Sequence, residues 1–133
     1  MEIEMDTPGD APYQALAREL VAFNRASADW SAQTFTAVVR ASGKLCGGAR
    51  AIVRFGAVEI RGLWVKASLR GQGLGSQIMM AVEDHARKLG ARNAMLDTYE
   101  FQARPFYENL GYECFSTFHY PNGTKRFYMS RAL

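Results

Sequence analysis

The chain has 133 residues, of which 48% are hydrophobic and 22% charged, with a net charge of +3. That size and composition fit one globular domain with its own core. They exclude a spanning helix, because no apolar run approaches ~20 residues, and a disulfide framework, because Cys46 and Cys114 are too few.

Charge is unevenly placed. Residues 1–65 carry seven basic and seven acidic groups, whereas residues 66–133 carry nine basic and six acidic, so the whole excess lies in the second half. This suits an anionic ligand. No Lys/Arg run exceeds two and no nucleic-acid-binding module is spelled out, so nucleic acid is not an expected partner. The first residues are acidic and lack the basic and apolar regions of a signal peptide, which predicts a cytoplasmic protein with reduced thiols.

In chain order, residues 2–6 alternate Ile3 and Met5 with acids and predict a short edge strand. Thr7-Pro8-Gly9-Asp10 reads as a turn, with Asp10 as N-cap and Pro12 near the first helical position. Tyr13, Leu16, Ala17, Leu20 and Phe23 then trace one helical face to about Ala26. Residues 27–31 are polar and read as a loop, in which Trp30 needs an apolar contact. Residues 35–40, 45–54 and 58–65 read as three strands, joined by turns at Ser42-Gly43-Lys44 and Phe55-Gly56-Ala57. They predict an antiparallel meander. Gly47-Gly48 inside the second strand predicts a bulge or a close backbone approach.

Next comes a strand end, Gly62-Leu63-Trp64-Val65, then the loop Arg70-Gly71-Gln72-Gly73-Leu74-Gly75. Leu74, Ile78, Val82, Ala86 and Leu89 recur at helical spacing behind it, and Arg87, Lys88 and Gly90 suit a helix end. Residues 93–99 form a strand that a crossover sets parallel to the one ending at Val65. A short helix over 103–110, a strand over 113–119, a turn at Tyr120-Pro121-Asn122-Gly123 and a strand over 125–131 complete the chain.

The glycine loop carries the chemistry. A helix start leaves backbone N–H groups unpaired and carries partial positive charge. Glycines let several of those groups converge on a phosphate, and Arg70 adds a full charge at the mouth. The spacing is neither the Gly-x-Gly-x-x-Gly of dinucleotide sites nor a loop ending Gly-Lys-Ser/Thr. It is Arg-x-x-Gly-x-Gly, in Arg70, Gly73 and Gly75. The bland alternative is a flexible glycine-rich connector.

A second segment, Ala103-Arg104-Pro105-Phe106-Tyr107-Glu108-Asn109-Leu110-Gly111-Tyr112, follows about thirty residues later. Together the two resemble, in their order, the GNAT superfamily of N-acetyltransferases: an acyl-coenzyme A loop, then a helix ending Phe-Tyr-x-x-x-Gly-Tyr. Residues 97–103 and Tyr120-Pro121-x-Gly resemble a small single-domain bacterial branch. The likeness is strong over 63–133 and rests on element order before that.

The resemblance implies a mixed α/β (α+β) fold in one domain, 1–133. Its central mixed, mostly antiparallel sheet has six to seven strands, splayed between those at about 58–65 and 93–99 and flanked by helices. It also implies acetyl-CoA as co-substrate and no metal. Leu63, Trp64 and Val65 would offer backbone groups to the pantetheine arm. Arg70, Gly71, Gln72, Gly73, Leu74, Gly75 and Ser76 would hold the pyrophosphate. Tyr107 matches the tyrosine that protonates the departing thiolate, the alternative being a core tyrosine.

Glu59, on the strand before the loop, stands where many relatives carry a carboxylate and is the candidate general base. Its neighbour Arg61 departs from the closest branch, and Asp97 or Glu100 could replace it, each alternatively a surface carboxylate. Separated histidines, His85 and His119, and cysteines give no metal-ligand spacing. Tyr120, Phe127 and Tyr128 either line an acceptor pocket or fill the core. The expected reaction is direct transfer to a primary amine of a small molecule or peptide, without an acetyl-cysteine. A homodimer is compatible. The rival readings are a non-catalytic acyl-CoA sensor and a protein cradling another nucleotide phosphate.

Overall fold

The computed structural model describes residues 1–5 and 9–133. By their contacts these fall into two compact units, Met1–Ser31 and Ala32–Leu133. The first holds one helix, α1 (Ala11–Ser27), with Pro12 in its first turn and Asp10 at the N-cap position without a side-chain capping bond. Tyr13, Leu16, Leu20 and Phe23 form its exposed apolar stripe. The Ser27 hydroxyl donates back to the Phe23 carbonyl at the last turn, 2.9 Å. Residues 1–5 are irregular and Ile3 and Met5 are exposed, so the edge strand expected over 2–6 is absent there. Its last residue, Asp6, lies outside the described residues, as do Thr7 and Pro8 of the expected turn. Alternation without a partner strand does not make a strand.

The second unit is a six-stranded sheet with two helices: β1 (Gln33–Ala41), β2 (Lys44–Arg54), β3 (Ala57–Val65), α2 (Leu74–Lys88), β4 (Asn93–Tyr99), α3 (Arg104–Asn109), β5 (Glu113–His119) and β6 (Lys125–Ala132). The order is β1-β2-β3-β4-β6-β5. Only β3 and β4 are parallel; the other neighbours run antiparallel. The two meander turns are two-residue loops with both φ positive, Ser42 and Gly43 at 50° and 74°, Phe55 and Gly56 at 53° and 75°. That conformation matches the twist of the strands it joins.

Both glycine expectations hold in β2. The β1–β2 register shifts between Val39 and Arg40, opposite Cys46 and next to Gly47. A Cβ on Gly48 would drive into the Ala37 carbonyl oxygen, and one on Gly47 would stand 3.0 Å from both Ile78 and the Trp64 carbonyl.

The helix α2 buries Ile78, Met79, Val82 and Ala86 against Val58, Ile60, Ala94 and Leu96 of the sheet. Leu74 and Leu89, at the ends of the predicted stripe, are half-buried. It also buries Glu83, 4% exposed. The Tyr112 hydroxyl donates to Glu83 Oε1 at 2.8 Å, and Arg131 donates to Glu83 Oε2 at 3.2 Å and to the Leu110 carbonyl at 2.7 Å. A buried carboxylate is tolerable only with such partners. This network ties α2, the end of α3 and β6 together.

Both helices end in Schellman motifs. Gly90 (φ 92°) donates to the Arg87 carbonyl and Ala91 to that of Ala86. Gly111 (φ 92°) donates to Glu108 and Tyr112 to Tyr107, with the rings of Tyr107 and Tyr112 6.0 Å apart. The Phe-Tyr-x-x-x-Gly-Tyr segment is thus a short helix, its left-handed stop and the hydrophobic contact across that stop.

Gly48→Ala should lower stability by roughly 1–3 kcal/mol, since the strands must part to admit the methyl group. Gly62→Ala has open space and ordinary φ, and should leave the thermal midpoint nearly unchanged. Melting both variants against the parent chain checks this; equal midpoints would remove the close-approach argument.

Candidate active site

The site begins with a bulge. Opposite β2, Ala51 pairs with Ile60 and Ala49 with Leu63, so Arg50 alone faces Arg61 and Gly62 of β3. An extra residue bends its strand and sharpens the twist. At the same point β3 leaves β4, since their pairing runs from Ala57↔Asn93 to Ile60↔Leu96 and ends. Beyond it β3 stays paired with β2 as far as Gly47↔Val65, and β4 with β6 as far as Tyr99↔Arg126. Each strand keeps its outer neighbour and loses the inner one. The result is a wedge-shaped cleft of about 800 Å³.

One wall is Glu59 to Val65; the other is Leu96 to Tyr99 with Phe101, Gln102 and Ala103. Tyr107 and Arg126 complete it, and Arg70 stands at the loop end. From Arg61 onward, the edge of β3 toward β4 has no strand partner. Such an edge accepts an extended ligand bearing amide groups, as sheets accept an added strand.

At the loop end, each glycine has its own reason. Gly71 and Gly73 take φ of 75° and 82°, which other residues resist. Gly75 is helical, but a Cβ there would meet the Phe106 ring of α3 at 3.3 Å. Gly73 is the N-cap of α2, with no side-chain cap and no acid in the first turn. The N–H groups of that turn are therefore open to an anion. Arg70 is more than a surface charge: its Nε donates to the Val65 carbonyl at 2.9 Å, tying the loop to the strand end. The Gln72 side chain braces the same loop by donating to the Ser68 carbonyl, 3.3 Å.

Tyr107, on α3, is 8% exposed and lines the cleft. Burial, and then the negative charge of Asp97, push its pKa above the ordinary tyrosine value. It remains protonated through the neutral range.

The carboxylates differ in how they are occupied. Glu59 lines the cleft with both oxygens engaged by Arg61, at 3.1 and 3.4 Å. Asp97 lines the opposite wall and receives Arg126 on Oδ2 alone, 2.8 Å, leaving Oδ1 without a hydrogen bond from a described residue. Glu100 accepts from the Lys125 backbone N–H at 3.0 Å and lines no part of the cleft.

Of the expected site residues, the cleft brings together Glu59, Leu63, Trp64, Val65, Arg70 and Tyr107. Residues 71–76 continue from Arg70 as the loop and helix start. Arg126 and Phe101 were missed. The alternation of β6 places Arg126 on the face opposite the buried Phe127, but the pairing of β6 with β4, which brings the Arg126 side chain to Asp97, is not a local property. Cys46 and Cys114 are free thiols, His85 is exposed with its ring against Phe35, and no metal-binding cluster occurs among the described residues. Phe127 is core, whereas Tyr120 and Tyr128 are half-buried. No helix is long and apolar enough to cross a membrane.

Comparison with known proteins converges on this architecture. A blasticidin-S acetyltransferase of Streptomyces morookaense is 38% identical over 71 residues, 53% of this chain and 52% of that protein. The chain thus spans about half the length of this curated relative. A crystal structure from Agrobacterium tumefaciens superposes with a TM-score of 0.92 over 100% of both chains, at 24% identity. An aminoglycoside 6′-N-acetyltransferase complexed with coenzyme A gives a TM-score of 0.67 at 18% identity, covering 74% of this chain and 72% of that one. Residues 2–112 match the sequence profile of the acetyltransferase (GNAT) family, and the chain belongs to that family.

Proposed function

We propose that the chain is an N-acetyltransferase that moves the acetyl group of acetyl-CoA to a primary amine by direct attack in a ternary complex. One observation carries this: the splay of β3 from β4 puts an unpaired strand edge and a protonated tyrosine along one cleft, with Arg70 at the end where the glycine loop leads into α2. The family match over 2–112 supports reading the chain as one domain. The likeness to a blasticidin-S acetyltransferase supports a small-molecule acceptor over a protein.

When bound, acetyl-CoA supplies an activated thioester; the chain's residues do the rest. The N–H groups of residues 70–76 hold the pyrophosphate with Arg70. The edge at Leu63, Trp64 and Val65 bonds the pantetheine amides and offers an N–H to the carbonyl oxygen as charge develops there. The amine nitrogen bonds to the acetyl carbon, the carbon–sulfur bond breaks, and Tyr107 gives its proton to the leaving thiolate. The proton freed from nitrogen as the amide forms returns to Tyr107 and restores its hydroxyl. An earlier proton, lost by the acceptor ammonium before attack, leaves through water to a cleft carboxylate. Asp97 suits this better than Glu59, because one of its oxygens is unoccupied. Much of the acceleration comes from holding amine and thioester together.

A thermal melt with acetyl-CoA, coenzyme A and ATP, each at about 1 mM, tests the ligand. A ligand at 100 times its dissociation constant adds about 2.7 kcal/mol, several degrees for a domain this size. Both coenzyme A species should raise the midpoint and ATP should not. Failure of both would end the acetyltransferase reading.

Tyr107→Phe should keep the coenzyme A shift but lose roughly 10²-fold in kcat. Because the folded pKa of Tyr107 lies above 10, the donor form persists below that pH, and activity should not fall on the alkaline side until higher still. An alkaline limb starting near pH 8 and vanishing in Tyr107→Phe would contradict this assignment. A coenzyme A shift without turnover on any amine would favour a sensor.

Asp97→Asn should cost roughly 10²-fold in kcat/KM at unchanged KM for acetyl-CoA, and Glu59→Gln less than about threefold. The opposite ranking would return the base to Glu59.

A further inference from the structure

Beyond Tyr107 the cleft opens on an aromatic surface that neither the core nor the cofactor reading uses. Phe101 lines the cleft yet is 73% exposed. Its ring stacks on Tyr99, centroids 5.4 Å apart and planes within 9°. Tyr99 contacts Tyr120 at 6.0 Å, and Tyr120 contacts Phe118 at 4.9 Å, edge to face. On the cleft side, the Arg126 guanidinium lies 5.3 Å from the centre of the Tyr99 ring while Asp97 holds it in place.

An isolated exposed phenylalanine needs no explanation, but a connected row of rings does. The turn that carries Phe101 is also pinned. Gln102 donates its N–H to the Tyr99 carbonyl at 2.9 Å and accepts the Tyr99 N–H on its side chain at 2.8 Å. Glu100 donates to the Lys125 carbonyl and accepts the Lys125 N–H, both at 3.0 Å. Phe101 is therefore held in water by a braced turn at the mouth of the cleft. The charges beside it are paired, Asp97 with Arg126 and Glu59 with Arg61, so the mouth attracts flat faces more than net charge.

We propose that the exposed face of Phe101, backed by Tyr99, forms a shelf on which the acceptor lays a planar aromatic ring, so that the substrate class is an amine joined to such a ring by a short spacer. This rests on the acetyltransferase reading and deepens it by naming the acceptor. Stacking on the shelf positions the amine nitrogen toward Tyr107 and Asp97 without enlisting the Asp97 charge for binding.

The test compares 2-phenylethylamine with 2-cyclohexylethylamine, which match in size and differ in planarity. Each is titrated calorimetrically into the coenzyme A-loaded protein, and each is assayed for acetylation. The aromatic amine should bind, and show a lower KM, by roughly three- to tenfold. Phe101→Leu keeps the apolar bulk and should erase that preference by raising KM at nearly constant kcat. Phe101→Tyr should restore it. In both variants the coenzyme A melting shift should persist, which separates failure of the shelf from failure of the cofactor reading. Equal affinity for the two amines, or a preference that survives Phe101→Leu, overturns the proposal. So does concentration-dependent self-association that Phe101→Leu abolishes, because the rings would then be a contact between copies of the chain.

Discussion

The site depends on one residue too many in β3. Arg61 and Gly62 together face Arg50, and at that point β3 parts from β4. Without the bulge, the pairing from Ala57 to Ile60 would continue, and the edge of β3 would be spent on backbone hydrogen bonds to Asp97 and beyond. With it, the outer pairings hold the two strands apart. Behind it, β2 is pressed tightly onto β1 at Gly48, where no side chain fits.

The helices fix what stands at each end of that opening. Gly75 lets Phe106 of α3 sit against the first turn of α2, and Gly111 stops α3 so that Tyr112 folds back onto Tyr107. Tyr112 in turn reaches Glu83 on α2, and Arg131 of β6 closes the triangle. A buried acid is an expensive way to join three elements. Here it helps set the position of Tyr107, whose pKa, raised by burial and by Asp97, depends on where its ring is held.

What was legible in the sequence was what is local. Hairpin turns, the glycine loop, helix stops and the apolar stripe of α2 all follow from a few adjacent residues. The resemblance added the splay and Tyr107, which no local rule contains. What stayed hidden was non-local. β6 enters between β4 and β5, so Arg126 meets Asp97 across a pairing that neither strand spells out. Glu83 sits one residue past Val82 and reads as the polar side of α2 until Tyr112 and Arg131 are seen around it. The alternation of Ile3 and Met5 misled for the same reason, since a strand is defined by its partner.

The charge imbalance of the sequence also acquires a location. At the loop end of the cleft, Lys66, Arg70 and the uncapped start of α2 add positive potential with no acid in the helix's first turn. Along the splayed walls, each carboxylate has an arginine beside it, Glu59 with Arg61 and Asp97 with Arg126. One end is therefore electropositive and the other polar but near neutral. On the proposed reading, this division fits the two substrates. A pyrophosphate is drawn by charge, and its binding should weaken with salt, whereas the acceptor amine must shed a proton before it attacks. A strongly anionic acceptor end would hold that amine as ammonium, and a cationic one would repel it. Paired charges do neither, and leave recognition of the acceptor to shape and to rings.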